Sequence, residues 1–561
     1  MTSIAAMAVA IWALHAEAPA DEIVQREMKQ DMVLRALVDE LERGKAGLKL
    51  EDLQRPYFIE YGLVDAAVAW VSADLGAVAR RDESRSRRLR TGVRVGSYEL
   101  DNTNFSGGGY GYGGWGGVSI PIEDDYNAIR QAIWWATDRQ YKEAAETFVK
   151  KKAFMESKMI EDKPDDFSRE PPAVYFEERL PVAIDTAPLE QLAVALSAIF
   201  RDYPDIKNSN VRVEGVLGNK YLVNTEGTRL RTTGSRFSLH VSATVQVDDG
   251  MELSDSISLH GEKLADLPAG DELSQRCRKM ITQLLATKQA PALESYTGPV
   301  LFEAEPATTV FARQFAGRFA GGQRPVGSRT SPDDFENKLD KRVLARFLDV
   351  VDDPTRETIA GTQVLGHYAY DDQGVKARPV TLVEQGRLKT LLMSRNPSKT
   401  FKNSTGHGRG AYGPTASTGC LSVTATDGSD AATLTEELLE ACEDEGLEYG
   451  IRIAALGSIG GGFSRGGGSA PLVMYKVYPD GREELVRGAE IAQVDLKAFK
   501  RVLAAGDTPF VRNSGGWGGS TTVSAPAMLF EELDLAKVDR DFDKPPILPS
   551  PLARQRDDTT E

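Results

Sequence analysis

Strand-forming and helix-forming stretches come in separate runs along this chain instead of alternating, and that segregation constrains the fold more than any other feature. Val211–Leu217, Tyr221–Asn224, Arg229–Thr233 and Arg236–Val247 are successive β-rich stretches, with Asn224-Thr225-Glu226-Gly227 as a turn between the second and third. Tyr57–Tyr61, Ala66–Leu75 and Thr91–Val95 are strand-like as well. Helical periodicity sits in blocks of its own. It covers Asp21–Gly44, where Leu34, Leu37, Val38 and Leu41 fall on one face, then Asp124–Ala153, Leu189–Phe200 and Leu273–Ala286. Such blocks predict an α+β fold rather than a parallel, alternating one.

From about Gly298 the chain is glycine-rich and mostly β, at Thr362–Ala369, Val380–Val383, Leu388–Leu392, Ala470–Val477 and Leu485–Val486, with one helix at Thr433–Glu445. The expected organisation is an N-terminal mixed α/β domain over 22–295 and a mostly antiparallel β domain over 296–540. A Pro-rich, disordered tail over 541–561 follows. Ile4–Leu14 is apolar but too short to cross a bilayer, which takes about 20 residues. With Ala16-Glu17-Ala18 behind it, the segment 1–18 reads as a secretory signal peptide, although Met1–Ser3 lacks a Lys or Arg. The expected location is therefore the periplasm or the extracellular space, or the cytoplasm if the segment is retained. No other stretch reaches membrane-spanning length, so no integral membrane segment is expected.

The formal charge of −16 argues against a nucleic-acid partner, which requires a basic face. Cys277, Cys420 and Cys442 are too few for a disulfide scaffold, and no CxxC pair exists for structural zinc. No two of the five histidines are spaced i, i+4 as a metal-binding helix needs. His260-Gly261-Glu262 is a possible pair of ligands on a loop, with a solvated turn as the plainer reading. Gly462-Phe463-Ser464-Arg465-Gly466 matches G-x-S-x-G, but no helix and no later histidine follow, so a flexible loop is expected. Ser106–Gly117 is glycine-rich without the Lys-Ser/Thr of a P-loop and reads as a lid or partner contact. The arginine-dense Asp82–Arg90 reads as a solvated strand edge.

Several motifs occur together in the second half: Tyr370–Val375, Leu382–Leu388, Ser394-Arg395 and Ser404–Arg409, then Val511–Gly519 and Ser524–Phe530. In order and spacing they resemble the TldD/PmbA family, described as metallopeptidase-related and as modulators of DNA gyrase, and Asn224–Gly227 resembles its N-x-E-G hairpin. Physically, Asp371–Gly374 and Glu384–Gly386 are turns of a β-meander, and Ser404–Arg409 is a polar loop whose His407 and Arg409 are expected to face a cleft. The resemblance implies the same two-domain layout.

Metal-bearing relatives are described with H-E-x-x-x-H on a helix and a later Cys. The matching stretch here is Ala312–Phe319, with Ala312, Arg313 and Gly317 at the motif positions and Asn513 or Ser514 near the position of the Cys. An alanine and a glycine have no side-chain lone pair, and a guanidinium is a fixed cation. No metal or other cofactor is therefore expected, zinc entering only through a non-standard site. The resemblance then implies a non-catalytic, substrate-cradling subunit for peptides, as a homodimer or with a metal-bearing homologue. The glycine-rich loops Ser106–Gly117 and Gly460–Gly468 would border the enclosed cavity. Two alternatives stand beside it: a peptidase working through His260, Glu262 and His407, and an exported binding or scaffold protein. A gyrase-related role is the least expected, because export separates the chain from DNA.

Overall fold

The computed structural model describes residues 19–50, 54–106, 117–328, 335–411, 413–459, 470–491, 494–516, 519–538 and 541–553. Helices and the longer strands are numbered here in chain order. The single helix expected over Asp21–Gly44 is two, α1 (Ala20–Gln30) and α2 (Met32–Gly47). Asp31 divides them. Its backbone is extended, and its carboxylate accepts from the N–H groups of Val33 and Leu34, both at 3.1 Å, which closes one helix and caps the next.

β1 (Pro56–Asp74) and β2 (Ala77–Val95) form one long hairpin, in which the interval between the two runs expected in β1 continues the ladder. The turn uses Leu75 and Gly76 at φ 47° and 73°. After α3 (Tyr126–Lys158) and α4 (Ala187–Ala198) come β3 (Asn208–Asn224), β4 (Arg229–Gln246) and β5 (Glu252–Gly261). These strands pair antiparallel in the order β2-β1-β3-β4-β5, and α5 (Gly270–Gln289) follows. Strand side chains alternate between faces, and here the odd-numbered apolar ones meet the helices. Ile59, Tyr61, Leu63 and Val223 pack under α2 and α3, while Val211, Val213, Leu239 and Val241 pack under α4 and α5. Around Arg212, Glu214, Arg236, His240 and His260 the even-numbered face of β3–β5 is polar, and Arg236 on it reaches Gly515 in the second half of the chain.

That half is a second strand array: β6 (Ser295–Phe302), β7 (Leu348–Asp352), β8 (Val380–Glu384), β9 (Cys420–Ala425), β10 (Gly450–Ile459), β11 (Ala470–Val477), β12 (Val502–Gly516) and β13 (Gly519–Lys537). β13 is its spine, antiparallel to β12 and β6 and parallel to β9. The arrays join where Ser458 and Ile459 of β10 pair with Ser254 and Leu253 of β5. α6 (Ala304–Phe315) lies over β13, and α7 (Ala431–Asp444) fills the place expected for a helix. The expectation of one helix in this half is corrected, since α6 and the short turn of helix Leu496–Lys500 stand beside α7. Phe311 and Phe315 stack at 4.7 Å, and Phe315 meets Phe499 edge-on at 5.1 Å, so aromatic burial anchors α6. The whole is mixed α and β with a large, mostly antiparallel sheet, as the segregated pattern predicted.

Other expectations fail for local reasons. Of Thr362–Ala369 only Thr362 and Gln363 pair as strand; the N–H groups of Leu365 and Gly366 go to side chains of Asn513 and Thr522 instead. Of Leu388–Leu392 only Leu388 belongs to a strand. The Asp371–Gly374 turn closes on a single bridge, Tyr370 to Lys376, so the meander is reduced to the turn at Glu384–Arg387. The arginine run is not wholly solvated. Arg87 is fully buried, 2.7 Å from Asp65 and 2.6 Å from Asp124, and Arg90 pairs with Glu60. Residues 541–553 hold neither strand nor α-helix, and Gln246 donates to the Asp543 carbonyl at 2.8 Å. The segment 1–18, the Gly462–Gly466 motif and nearly all of the two glycine-rich loops lie outside the described residues.

Candidate functional site

α6 crosses the hairpin of β12 and β13. The Thr308 hydroxyl donates to the Ala525 carbonyl at 3.0 Å, and Arg512 Nη1 donates to the Thr309 hydroxyl at 3.0 Å. Ala312 packs its methyl on the core, Arg313 is exposed on the last turn, and Gly317 lies beyond the helix end in the turn after Ala316. A Cβ on Gly317 would meet nothing within 4 Å. Asn513 on β12 is fully occupied: Oδ1 accepts from Leu365 N–H at 3.0 Å and from the Thr522 hydroxyl at 2.7 Å, while Nδ2 donates to the Gln363 carbonyl at 2.9 Å. A methyl, a guanidinium, a glycine and an amide already engaged on both sides do not fit zinc. Among the described residues, no three His, Cys, Asp or Glu side chains gather as a metal-holding group.

Asn513 nevertheless marks a real convergence, the loop 363–368 at the seam between the two strand arrays. His367 Nδ1 lies 2.8 Å from the Val364 carbonyl, and its Nε2 lies 3.5 Å from the Glu262 carboxylate. Arg409 donates to the carbonyls of Gly366 at 3.2 Å and Ser520 at 2.7 Å, with its guanidinium 4.4 Å over the Tyr368 ring. Glu262, His367, Arg409 and Asn513 therefore meet around one loop.

His407 does not join them. It is fully buried, with Nε2 3.3 Å from Asp352, and Asp352 also accepts from the N–H groups of Gly419 and Cys420. Two buried carboxylates hold its loop down, since Gly408 N–H donates to Asp371 Oδ2 at 2.8 Å. The expectation that His407 faces a cleft is corrected, and so is its grouping with His260 and Glu262.

His260 is on β5 rather than in a solvated turn. The register Glu214–Ser238–His260 puts Glu214, Arg236 and His240 on its face of the sheet. Burial lowers the His260 ring to about 4, and the cations of Arg236 and Arg512 add to that. On the same strand, burial pushes the Asp255 carboxyl up to about 6, with Glu305 contributing. Sequence reasoning missed Arg236, His367 and Arg512. For Arg236 the even-residue alternation of its strand was a usable signal; for the other two only proximity in the fold reveals the role.

The remaining family-like motifs form the joint between the arrays. Asn224 Oδ1 accepts from the N–H groups of Glu226 at 3.0 Å and Thr228 at 3.1 Å, shaping the turn. Glu226 receives both terminal nitrogens of buried Arg395, at 2.7 and 2.8 Å, and the Tyr98 hydroxyl at 2.7 Å. Arg395 also donates to the Ser168 carbonyl at 2.6 Å and lies 3.9 Å over the Phe167 ring. Nearby, Lys220 reaches Asp372 at 3.2 Å.

Comparison with known proteins places these features in context. A family model described as the PmbA/TldA metallopeptidase C-terminal domain matches residues 295–537, and one described as the central domain matches residues 171–284. A metalloprotease of Methanocaldococcus jannaschii is 25% identical over 244 residues, which is 43% of this chain and 48% of that protein. A metalloprotease of Methanothermobacter thermautotrophicus is 26% identical over 196 residues, 34% of this chain and 40% of that protein. The chain thus spans half or less of the length of the curated relatives it matches. A Thermotoga maritima structure described as a candidate modulator of a DNA gyrase superposes with a TM-score of 0.57 at 15% identity, covering 85% of this chain and 96% of that one. TldE from Thermococcus kodakarensis does so with a TM-score of 0.57 at 14% identity, covering 89% and 100%. At such identities the two structures speak for the fold alone.

Proposed function

Because this chain belongs to the PmbA/TldD metallopeptidase family, we propose that it serves as a subunit without a zinc site of its own, cradling peptide in a peptidase assembly. One observation carries the reading. Where α6 meets β12, the positions that the resemblance assigns to metal ligands hold Ala312, Gly317 and Asn513, the position of the general base holds Arg313, and the Asn513 amide is spent on the backbone of the 363–366 loop. The polar seam beside them, bordered by Glu262, His367 and Arg409, is the surface along which a peptide would lie. The chain then pairs with a metal-bearing homologue, to which catalysis belongs, or with a second copy of itself.

Metal analysis of the purified protein tests the reading: substoichiometric zinc is expected, and one zinc per chain overturns it. Co-purification separates it from an exported binding or scaffold role. Recovery of a metal-bearing homologue supports the assembly, and recovery of unrelated partners alone supports the scaffold. The peptidase alternative built on His260, Glu262 and His407 lacks geometric support, because His407 is enclosed against Asp352. Export remains part of the proposal and is tested by the mature N-terminus, expected near Pro19; an end at Met1 or Thr2 contradicts it.

A further inference from the structure

The polar face of the first strand array carries more positive than negative charge where it meets α6 and β12. Arg212 and Arg236 share a single carboxylate, Glu214, at 2.7 and 3.3 Å. Arg236 reaches across the seam, so that a Cβ on Gly515 of β12 would collide with its Nη1. Arg512 comes from the opposite wall; it is exposed, donates to the Thr309 hydroxyl, and has no carboxylate within ion-pair distance among the described residues. Glu305, on the first turn of α6, acts on Arg512 only at longer range. His260 lies in the field of both arginines, and its Nδ1 is enclosed without a hydrogen-bond partner, as is Nε of Arg236.

Within ion-pair distance, Arg212 and Arg236 have the one carboxylate of Glu214 between them and Arg512 has none among the described residues, which leaves guanidinium donors free for a small anion. The guanidinium fork offers parallel donors that suit a planar carboxylate. We propose that Arg236, Arg512 and His260 form a carboxylate-binding subsite that holds the free C-terminus of a peptide in the seam. This rests on the peptide-cradling reading and deepens it: a guanidinium pair fixes the end of the substrate beside the place where the resemblance puts a metal in relatives.

The test is calorimetric titration of the full chain with a neutral pentapeptide as the free acid, the same peptide as its C-terminal amide, and inorganic phosphate. The free acid is expected to bind at least about tenfold tighter than the amide at low salt, with the difference shrinking as salt screens the charges. Arg512→Gln, at an exposed position, should abolish that discrimination by weakening binding of the free acid at least about tenfold, and Arg512→Lys should restore part of it. Equal affinity for acid and amide, no binding of either, or discrimination that survives Arg512→Gln overturns the subsite. Phosphate displacing the acid peptide at equal concentration overturns the assignment to a peptide terminus. The two readings fail separately. Stoichiometric zinc refutes the metal-free subunit and leaves the discrimination as it is, whereas lost discrimination without zinc refutes the subsite alone.

Discussion

Glu226 and Arg395 concentrate the most consequence in the fewest atoms. Arg395 is about 1% exposed, and its two terminal nitrogens end on one carboxylate. Removing that carboxylate strands a buried cation, which typically costs about 3–5 kcal/mol. Glu226→Ala should therefore destabilise by that order in urea unfolding, and Glu226→Gln, which keeps an acceptor, by less. His260 makes a separate, pH-dependent statement. Its ring is lowered from 6.5 to about 4, so between those values the unfolded chain binds more protons than the folded one. This group's contribution therefore weakens the fold as pH drops from about 6.5 to about 4. Asp255, raised from 3.8 to about 6, acts with the opposite sign and weakens the fold as pH climbs through nearly the same window. Bulk stability will blur the two, so single-site NMR titration is the measurement. A His260 midpoint near 4 that moves upward in Arg236→Gln is the expected result, and an ordinary midpoint contradicts the burial described here.

At the scale of elements, Asp31 decides where a helix stops. Its capping oxygen ends the run that apolar periodicity carries straight through, and its other oxygen accepts from Tyr221 and Arg231, both at 2.9 Å. Asp31→Ala removes the cap and leaves Arg231 buried with less compensation, so a loss of about 3–5 kcal/mol is expected. Asp31→Asn, which retains a capping oxygen, should lose clearly less; equal losses in denaturant melts contradict the capping account. A lone Asp between apolar turns reads equally well as a helix surface residue, which is why the break is hard to see in sequence. The long strands mislead in the other direction. Glycines and charges inside β1 and β2 suggest interruptions, yet Arg85 and Arg87 pair with Asp65 across the hairpin and the ladder continues. Loop 363–368 fails as a strand because Asn513 and Thr522, distant in sequence, take its N–H groups.

Across the whole molecule, two strand arrays are held together by the β5–β10 pairing, by Glu226–Arg395 and by Lys220–Asp372. If these contacts make the arrays one cooperative unit, the intact chain melts in a single calorimetric transition. The double variant Glu226→Ala/Asp372→Ala should then show two transitions or a broadened one, and an unchanged sharp melt argues that the strand pairing suffices. The α+β class and the Asn224–Gly227 turn were legible in the residues, because each depends on local patterning. The surroundings of the polar loop residues were not legible. His407 and Arg409 sit two residues apart, yet one is sealed against Asp352 while the other reaches the seam. Arg236 and Arg512 act on the charge of the same histidine from strands that sequence spacing cannot relate. Local propensity sets the elements of this chain, whereas burial and charge pairing between distant segments decide which polar groups stay open to a ligand.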